Sequence, residues 1–455
     1  MNEIKIKKEE IISLIDRHRY GELLHEISEI PAIDAAEIFE DIPLEYQTKF
    51  FRLLPKDTAA ELFVLMESDA QERIIGASTD SELKEMLSEL YLDDTVDIIE
   101  EMPANVVKKI LKNSTPEDRS AINELLGYPK DSAGTVMTPE YVRLLGDMTV
   151  EAALGHLRRV AIDKETIYTC YVTDKFRRLE GIVTAKDLLI SPLDTKISDI
   201  METSVIYAMT TDDKEEAARK IEKYGFLALP IVDAEKRLVG IVTVDDAIEV
   251  LEDEIEEDIS KMAAITPTET PYLKTSAVSV FKARIPWLLI LMISATVSST
   301  ILSKFEQNLA SILVLFVPML MDTGGNSGNQ ASVTLVRGLS LGEVKRSDFL
   351  RVWWKELRIG ILCGVVLGLV AFGKIMLIDR LVMQNPDVTL VVGVVVAVTL
   401  ALTVILSKLV GSALPILAAR VGLDPAVMAS PFITTAVDAL SLLIYFVIAA
   451  PFFSV

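Results

Sequence analysis

Asp438 stands in the segment SPFITTAVDALSLLIYFVIAAPFF, just after Thr434 and Thr435 and ahead of a long apolar run. A carboxylate so placed costs about 2.5–3.5 kcal/mol on the membrane-insertion scale unless it meets water or a counter-charge. The interiors of the apolar segments are read as holding no Lys or Arg that could pair with it. Asp438 therefore points to a water-filled path and a cation. A second polar interruption, VPMLMDTGGNSGNQASVTLVRG, sets Asp322, Asn326, Asn329 and Gln330 among Pro318, Gly324, Gly325 and Gly328. Proline and glycine at these places predict an interrupted helix, which at membrane depth is tolerated only inside protein or along a wet cavity. Carboxylate, amide and hydroxyl oxygens suit Mg²⁺, Ca²⁺ or Mn²⁺, whereas a path for a soft metal would show Cys, Met or His. One carboxylate per chain among polar neighbours fits Mg²⁺, which keeps most of its waters. A two-fold axis would double it, so a homodimer is expected.

A third concentration of chemistry is DDAIEVLEDEIEEDISKMAAI, where Ile248, Leu251, Ile255, Ile259 and Met262 fall at helical spacing while Glu249, Glu252, Asp253, Glu256 and Glu257 occupy other faces. Carboxylates held close repel one another, so a compact arrangement is favoured when cations sit between them. Binding and conformation are then linked, and the cation concentration shifts the population.

These residues need elements to hold them. Apolar stretches at about 286–302, 309–335, 357–377, 390–417 and 426–453 are long enough to cross a bilayer, which predicts five spans. Between the second and third lie Arg337, Lys345, Arg346, Arg351, Lys355 and Arg358, a loop that the positive-inside rule puts in the cytosol together with Lys282 and Arg284. The C-terminus is then outside. The opening MNEIKIKKEEIISLIDRHRY has no apolar core of signal-peptide length, so the N-terminus is expected in the cytosol.

Charge divides the chain in the same place. Residues 281–455 carry 13 basic and 9 acidic side chains, a net +4, so residues 1–280 carry −26 of the overall −22. That acidity argues against nucleic acid as a partner. Two distant cysteines and three histidines support neither a disulfide framework nor a Cys/His zinc site.

Residues 137–254 contain a repeat: VMTPEYVRL and IMETSVIYA open the copies, and LEGIVTAKDLL and LVGIVTVDDAI close them. Each copy reads as an extended start, a helix, a strand pair and a closing helix. Upstream, IDAAEIFEDIP, DTAAELFVLM and DDTVDIIEEMP read as short amphipathic helices stacked in a small solenoid. The repeat resembles a tandem pair of cystathionine-β-synthase (CBS) domains. That likeness implies a hydroxyl and a carboxylate beside a ribose, here Thr184 with Asp187 and Thr243 with Asp246. The same residues also suit a strand-to-helix cap, and both readings stand at this point.

With TGGNSGNQ and DPAVMASPFITTAVD added, the whole chain resembles the MgtE family of magnesium transporters. The resemblance implies a multidomain fold: an acidic all-α N-terminal domain (1–130), an α/β tandem CBS module (131–245, copies about 137–195 and 200–254), a connecting plug helix (246–280) and an α-helical membrane domain of five transmembrane helices (281–455). It implies a homodimeric Mg²⁺ channel in the cytoplasmic membrane, closed when cytosolic Mg²⁺ is high, with no reaction chemistry. Asp438 takes the place of the pore aspartate, with Asn326, Asn329, Thr434 and Thr435 lining the path. Glu61, Asp93, Asp97, Asp213 and Glu215 match sensor acids, as do Asp246, Glu249, Glu254, Glu257 and Asp258, and Asp424 matches a membrane-domain acid that meets the plug through an ion. An ATP site in the CBS module would use Asp187 and Phe226 beside Thr184 and Thr243. Gly225 departs from the family, where an acid can stand. Two rivals remain on sequence grounds: a nucleotide-gated transporter of another ion or solute, and a membrane sensor that transports nothing. No Walker motif is present for ATP hydrolysis.

Overall fold

The computed structural model describes residues 8–28, 30–268, 272–273, 275–306, 311–428 and 430–453. The chain forms two compact bodies, Met1–Glu252 and Asp253–Val455, and the division falls inside the helix Val244–Met262.

The first body begins with ten helices of eight to ten residues between Lys8 and Leu125. Such short helices are marginal alone and depend on packing. Their starts are nonetheless marked in the sequence: Pro31, Pro43, Pro55 and Pro103 sit at N-cap positions, and Thr79 closes a capping box with Glu82. Ala32–Asp41 packs on Lys56–Val64, which packs on Asp80–Leu87, which packs on Ala104–Asn113. This is the stacking that the repeated amphipathic pattern predicts, and it buries Phe39, Phe50 and Phe63 completely.

Two three-stranded sheets follow, one per repeat. In the first, Tyr141–Leu145 pairs parallel with Thr166–Thr173, which pairs antiparallel with Leu179–Thr184. In the second, Ala208–Met209, Ala228–Val232 and Leu238–Thr243 repeat that order and those directions. The parallel pair requires a crossover, supplied by the helices Val150–Val160 and Lys214–Tyr224. Tyr141, Tyr171, Ala228, Leu238 and Ile241 form an apolar cluster between the copies. Helix Lys214–Tyr224 ends on Gly225 at φ +66°, the left-handed cap conformation that glycine adopts without a Cβ penalty.

In the second body, among the described residues, four helices are long and apolar enough to cross a membrane: Ala277–Lys304, Phe349–Val382, Leu390–Arg420 and Ala426–Phe453. Five were expected from sequence. The remaining candidate is Val317–Ser340, and it corrects the sequence reading in two ways. TGGNSGNQ is continuous helix, not unwound chain. Its polar residues also keep it out of the apolar set, although Leu390–Arg420 and Ser430–Phe453 both pack on it. The glycines act by close approach: a Cβ on Gly411 would lie 2.2 Å from the Gly328 carbonyl oxygen, and one on Gly324 would lie 2.7 Å from Thr403 Cγ2. Small residues at such crossings let helix backbones meet. Gly360, Gly364 and Gly368 do the same against Ala397, Ala401 and Ile405, a four-residue spacing plainly visible in IGILCGVVLGLV. Lys408 corrects a further expectation, since it lies buried inside Leu390–Arg420, where its charge attracts Glu356.

Candidate cation sites

Three groups of acids emerge, one in the membrane body, one at its junction with the connecting helix and one in the first body. In the helix Ser430–Phe453, Asp438 follows Thr434 by one turn, so the two share a face. Asp438 Oδ1 is shut off from solvent and receives no hydrogen bond among the described residues, and the same holds for Asn329 Oδ1 on Val317–Ser340. Asp322, on that same helix, is close enough for its charge to repel Asp438. Asp322 and Asn326, one turn apart, are exposed on the single chain, while the small residues on the opposite side are buried. Thr435 donates to the Pro431 carbonyl at 3.1 Å and is thereby turned to its own backbone. Thr434 and Asp438 thus share one face of Ser430–Phe453, where Thr434 packs on Gly325, while Asn326 lies beside Asp322 on the exposed face of Val317–Ser340.

The second group joins the end of Val244–Met262 to the membrane body. Lys261 Nζ stands 2.7 Å from Asp424 Oδ2 and 2.7 Å from Glu257 Oε1. Burial alone would lower the Lys261 pKa, but the hydrogen bonds to Asp424 and Glu257 outweigh it and the pKa is raised. Asp424 Oδ1 also accepts from the Ala426 amide at 2.8 Å, and Asp258 Oδ2 accepts from Ser340 at 2.9 Å. Met262 packs with Val336 and Ala426. An ammonium thus stands between Asp424 and the connecting helix, where the resemblance implied a bound ion. Glu254 belongs to the same acidic stretch of this helix.

The third group lies in the first body. Helix Leu92–Glu101 supplies Asp93, Asp94 and Asp97, the start of Val244–Met262 supplies Asp245, Asp246 and Glu249, and Glu140 and Glu165 come from the edges of the first sheet. Burial, reinforced by the neighbouring carboxylates, raises every one of the deeper groups. Asp94 is pushed up to about 6, Asp97 to about 7, Glu140 to about 7 and Glu165 to about 8. Asp93 is raised well above the usual range by burial first and the charges of Asp94, Asp246 and Glu165 after it. Asp246 is raised by burial, against the hydrogen bonds from Thr243. Such a cluster has two ways to relieve its repulsion: protons or cations.

Other expected ligands are engaged locally. Asp213 caps its helix by accepting from the Glu215 amide at 2.8 Å, and Glu215 pairs with Arg219 one turn on. Glu61 is exposed on Lys56–Val64 and makes no hydrogen bond or ion pair among the described residues. The two Thr/Asp pairs serve as caps: Thr184 donates to Asp187 Oδ2 at 2.5 Å, and Thr243 donates to Asp246 Oδ2. Phe226 stacks on Tyr224 with ring centres 5.5 Å apart. Sequence reasoning missed Glu140, Glu165 and Lys261. Nothing in their local sequence sets them apart, because Asp93 and Asp424, the partners that give them their meaning, lie from 47 to 163 residues away along the chain.

Comparison with known proteins places these groups in context. A profile for the MgtE divalent cation transporter matches residues 317–448, one for the MgtE intracellular N domain matches 30–131, and one for CBS domains matches 133–193 and 197–253. The magnesium transporter MgtE of Thermus thermophilus is 37% identical over 429 residues, covering 93% of each chain. The magnesium transporter MgtE of Bacillus subtilis is 33% identical over 448 residues, 97% of this chain and 96% of the relative. A crystal structure of the soluble part of a magnesium transporter superposes with a TM-score of 0.52 at 30% identity, over 55% of this chain and 99% of that one.

Proposed function

The chain belongs to the MgtE family of magnesium transporters, and we infer that it admits Mg²⁺ through the cytoplasmic membrane and is closed by cytosolic Mg²⁺ bound to its acidic soluble part. The observation that carries the conducting role is the Asp438 carboxylate, in an apolar helix of membrane-spanning length, with a buried oxygen that no donor among the described residues satisfies. Such a group is costly without a cation or water. Mg²⁺ passes it as a largely hydrated ion, with Asn329 and Thr434 offering oxygens to its waters. An inside-negative potential contributes about 2.3 kcal/mol per charge per 100 mV, and twice that for Mg²⁺, so uptake needs no coupled reaction.

The exposed Asp322 and Asn326 need a polar neighbour at membrane depth. A second copy supplies one: with the pore on a two-fold axis, the carboxylates are duplicated around the path, and Val317–Ser340 becomes a fifth membrane helix covered by protein instead of lipid. The N-terminus and the basic loop after that helix lie in the cytosol, and the C-terminus lies outside. Closure follows from the acids. Cations entering the cluster around Asp93, Asp97, Asp246 and Glu249 relieve its repulsion, hold the first body compact and fix the start of the connecting helix, whose far end sits on Asp424 and Ser340. Uptake into liposomes by the wild type and Asp438→Ala tests the conducting role: the variant is expected to lose Mg²⁺ flux, and full flux in it would place the pore elsewhere.

A further inference from the structure

We propose that Arg143, His156, Lys164 and Arg177 form an anion site in the first CBS repeat, which takes a phosphate group, free or carried on a small soluble molecule. The four side chains line one pocket of about 350 Å³, with Tyr141 in its wall and no carboxylate among its lining residues. None of the four forms an ion pair among the described residues. Both guanidinium groups are instead braced by uncharged oxygens. Arg143 donates from Nε to Thr173 Oγ1 at 2.6 Å and from Nη2 to the Asp174 carbonyl at 2.9 Å. Arg177 donates from Nη2 to the Tyr141 hydroxyl and to the Leu238 carbonyl, each at 3.1 Å. The two forks are thereby held in place, with N–H groups to spare and their charge unmatched. Glu124 and Asp233 are felt at Arg177, and Lys164 is felt at Glu140, but none of these acids lines the pocket.

The second repeat shows the same fold without this arrangement. It sets Tyr207 where the first has Arg143, Lys220 where it has His156 and Lys236 where it has Arg177. Lys220 is paired there with Asp212 and Glu216, both at 3.4 Å, and Lys236 lies over the Tyr207 ring, 5.9 Å from its centre. Lys164 has no counterpart, because it stands in the longer connection between the helix Val150–Val160 and the strand Thr166–Thr173. In one copy the cations are matched internally; in the other they converge on a cavity. Like charges around a cavity repel one another, and an anion relieves that repulsion. Two arginine forks with a lysine match the several oxygens and double charge of a phosphate better than they match a single carboxylate. The pocket is at the small end of the range for small-molecule sites, and its one aromatic wall, Tyr141, is buried, so it suits a phosphate on a small body and not a stacked base. The acidity of residues 1–280 repels anions at long range, but at physiological salt that field is screened over about 8 Å. None of the lining residues belongs to the expected nucleotide set of Thr184, Asp187, Phe226 and Thr243, and the site does not depend on the reading of the chain as a transporter.

The test is isothermal titration calorimetry on the full chain in detergent, freed of metal on a chelating resin, with inorganic phosphate and glucose 6-phosphate as probes. One equivalent of at least one probe should bind per chain. Tighter binding of inorganic phosphate assigns the site to the free ion, and tighter binding of glucose 6-phosphate assigns it to a phosphate monoester. Lys164→Gln and His156→Gln remove no side-chain hydrogen bond among the described residues, and each should weaken the bound probe roughly tenfold. Arg143→Lys, which keeps the charge and loses the fork, should weaken it as well. Lys236→Gln, the corresponding change in the second repeat, should leave the affinity unchanged. The bound probe should also raise the wild-type Tm and raise it less in Lys164→Gln and His156→Gln, a difference that a purely structural role does not produce. Absence of binding by both probes overturns the site. So does an equal loss of affinity in Lys236→Gln, which marks a general effect of charge, and so does displacement of the probe by adenosine, which places it at the nucleotide site.

Discussion

Replacing Lys261 by methionine keeps most of the aliphatic stem and removes one ammonium. In the wild type that ammonium stands 2.7 Å from each of two carboxylates, Asp424 and Glu257, whose side chains are 33% and 41% exposed while Lys261 is 23% exposed. Fully buried charge-assisted bonds contribute about 1.5–3 kcal/mol each. Partial exposure reduces that gain towards the roughly 0–1 kcal/mol of surface pairs. Together the two bonds are worth about 1–3 kcal/mol, and the substitution also leaves two carboxylates facing each other. The effect depends on Mg²⁺. With chelator on the soluble-domain side, the closed state loses its built-in counter-charge, and the closed-to-open ratio should fall roughly 5–150-fold. With saturating Mg²⁺, the freed carboxylates can hold an ion in place of the ammonium, so the variant should close. The Mg²⁺ dependence of closure therefore becomes wider in range and steeper than in the wild type. Flux from liposomes at graded Mg²⁺ on the soluble-domain side measures this. Closure of wild type and Lys261→Met over the same Mg²⁺ range would show that the Lys261 bridge does not hold the connecting helix.

Three other outcomes are expected. In metal-free buffer the first body should lose stability as pH rises from about 5 to about 8. Asp97 and Glu165, held at about 7 and about 8 by burial, keep protons in the folded state that the unfolded chain releases near its ordinary carboxylate range. Saturating Mg²⁺ should flatten that slope, and melting curves at several pH values will show whether it does. Gly411→Ala would put a Cβ 2.2 Å from the Gly328 carbonyl, and the overpacking should cost about 1–3 kcal/mol or more, seen as a lower melting temperature and lost flux. Asn329→Leu removes a buried oxygen that has no donor of its own; it should leave the melting temperature close to wild type and reduce Mg²⁺ flux.

The pattern of what was legible follows from the range of each interaction. The duplicated GIVT segments led directly to two sheets of the same topology, because strand, turn and cap signals are local. The short acidic helices were equally visible. Asp438 was visible for a different reason: one charge in a long apolar run is conspicuous without knowledge of any neighbour. TGGNSGNQ misled because glycine breaks helices in water but permits close crossings in a packed bundle, and only the positions of Gly411 and Thr403 decide between the two. The same local logic left Val317–Ser340 looking like an interrupted span, although it is an intact helix covered by others. Lys408 is as conspicuous in its apolar run as Asp438, and what that run alone does not show is the nearby Glu356 charge. Lys261 and Asp424 are separated by 163 residues, and no periodicity links them. Glu140 and Glu165 are single acids at strand edges, and their meeting with Asp93 is a product of how the first repeat packs on the helical domain.

The measurement closest to the central claim is the Mg²⁺ current through the full-length protein in an excised membrane patch, with Mg²⁺ varied on the side of the soluble domains alone. The current should be present when that side is chelated and should fall as Mg²⁺ is raised there, even though the same ion carries it. A current indifferent to Mg²⁺ on that side would contradict closure by the transported ion.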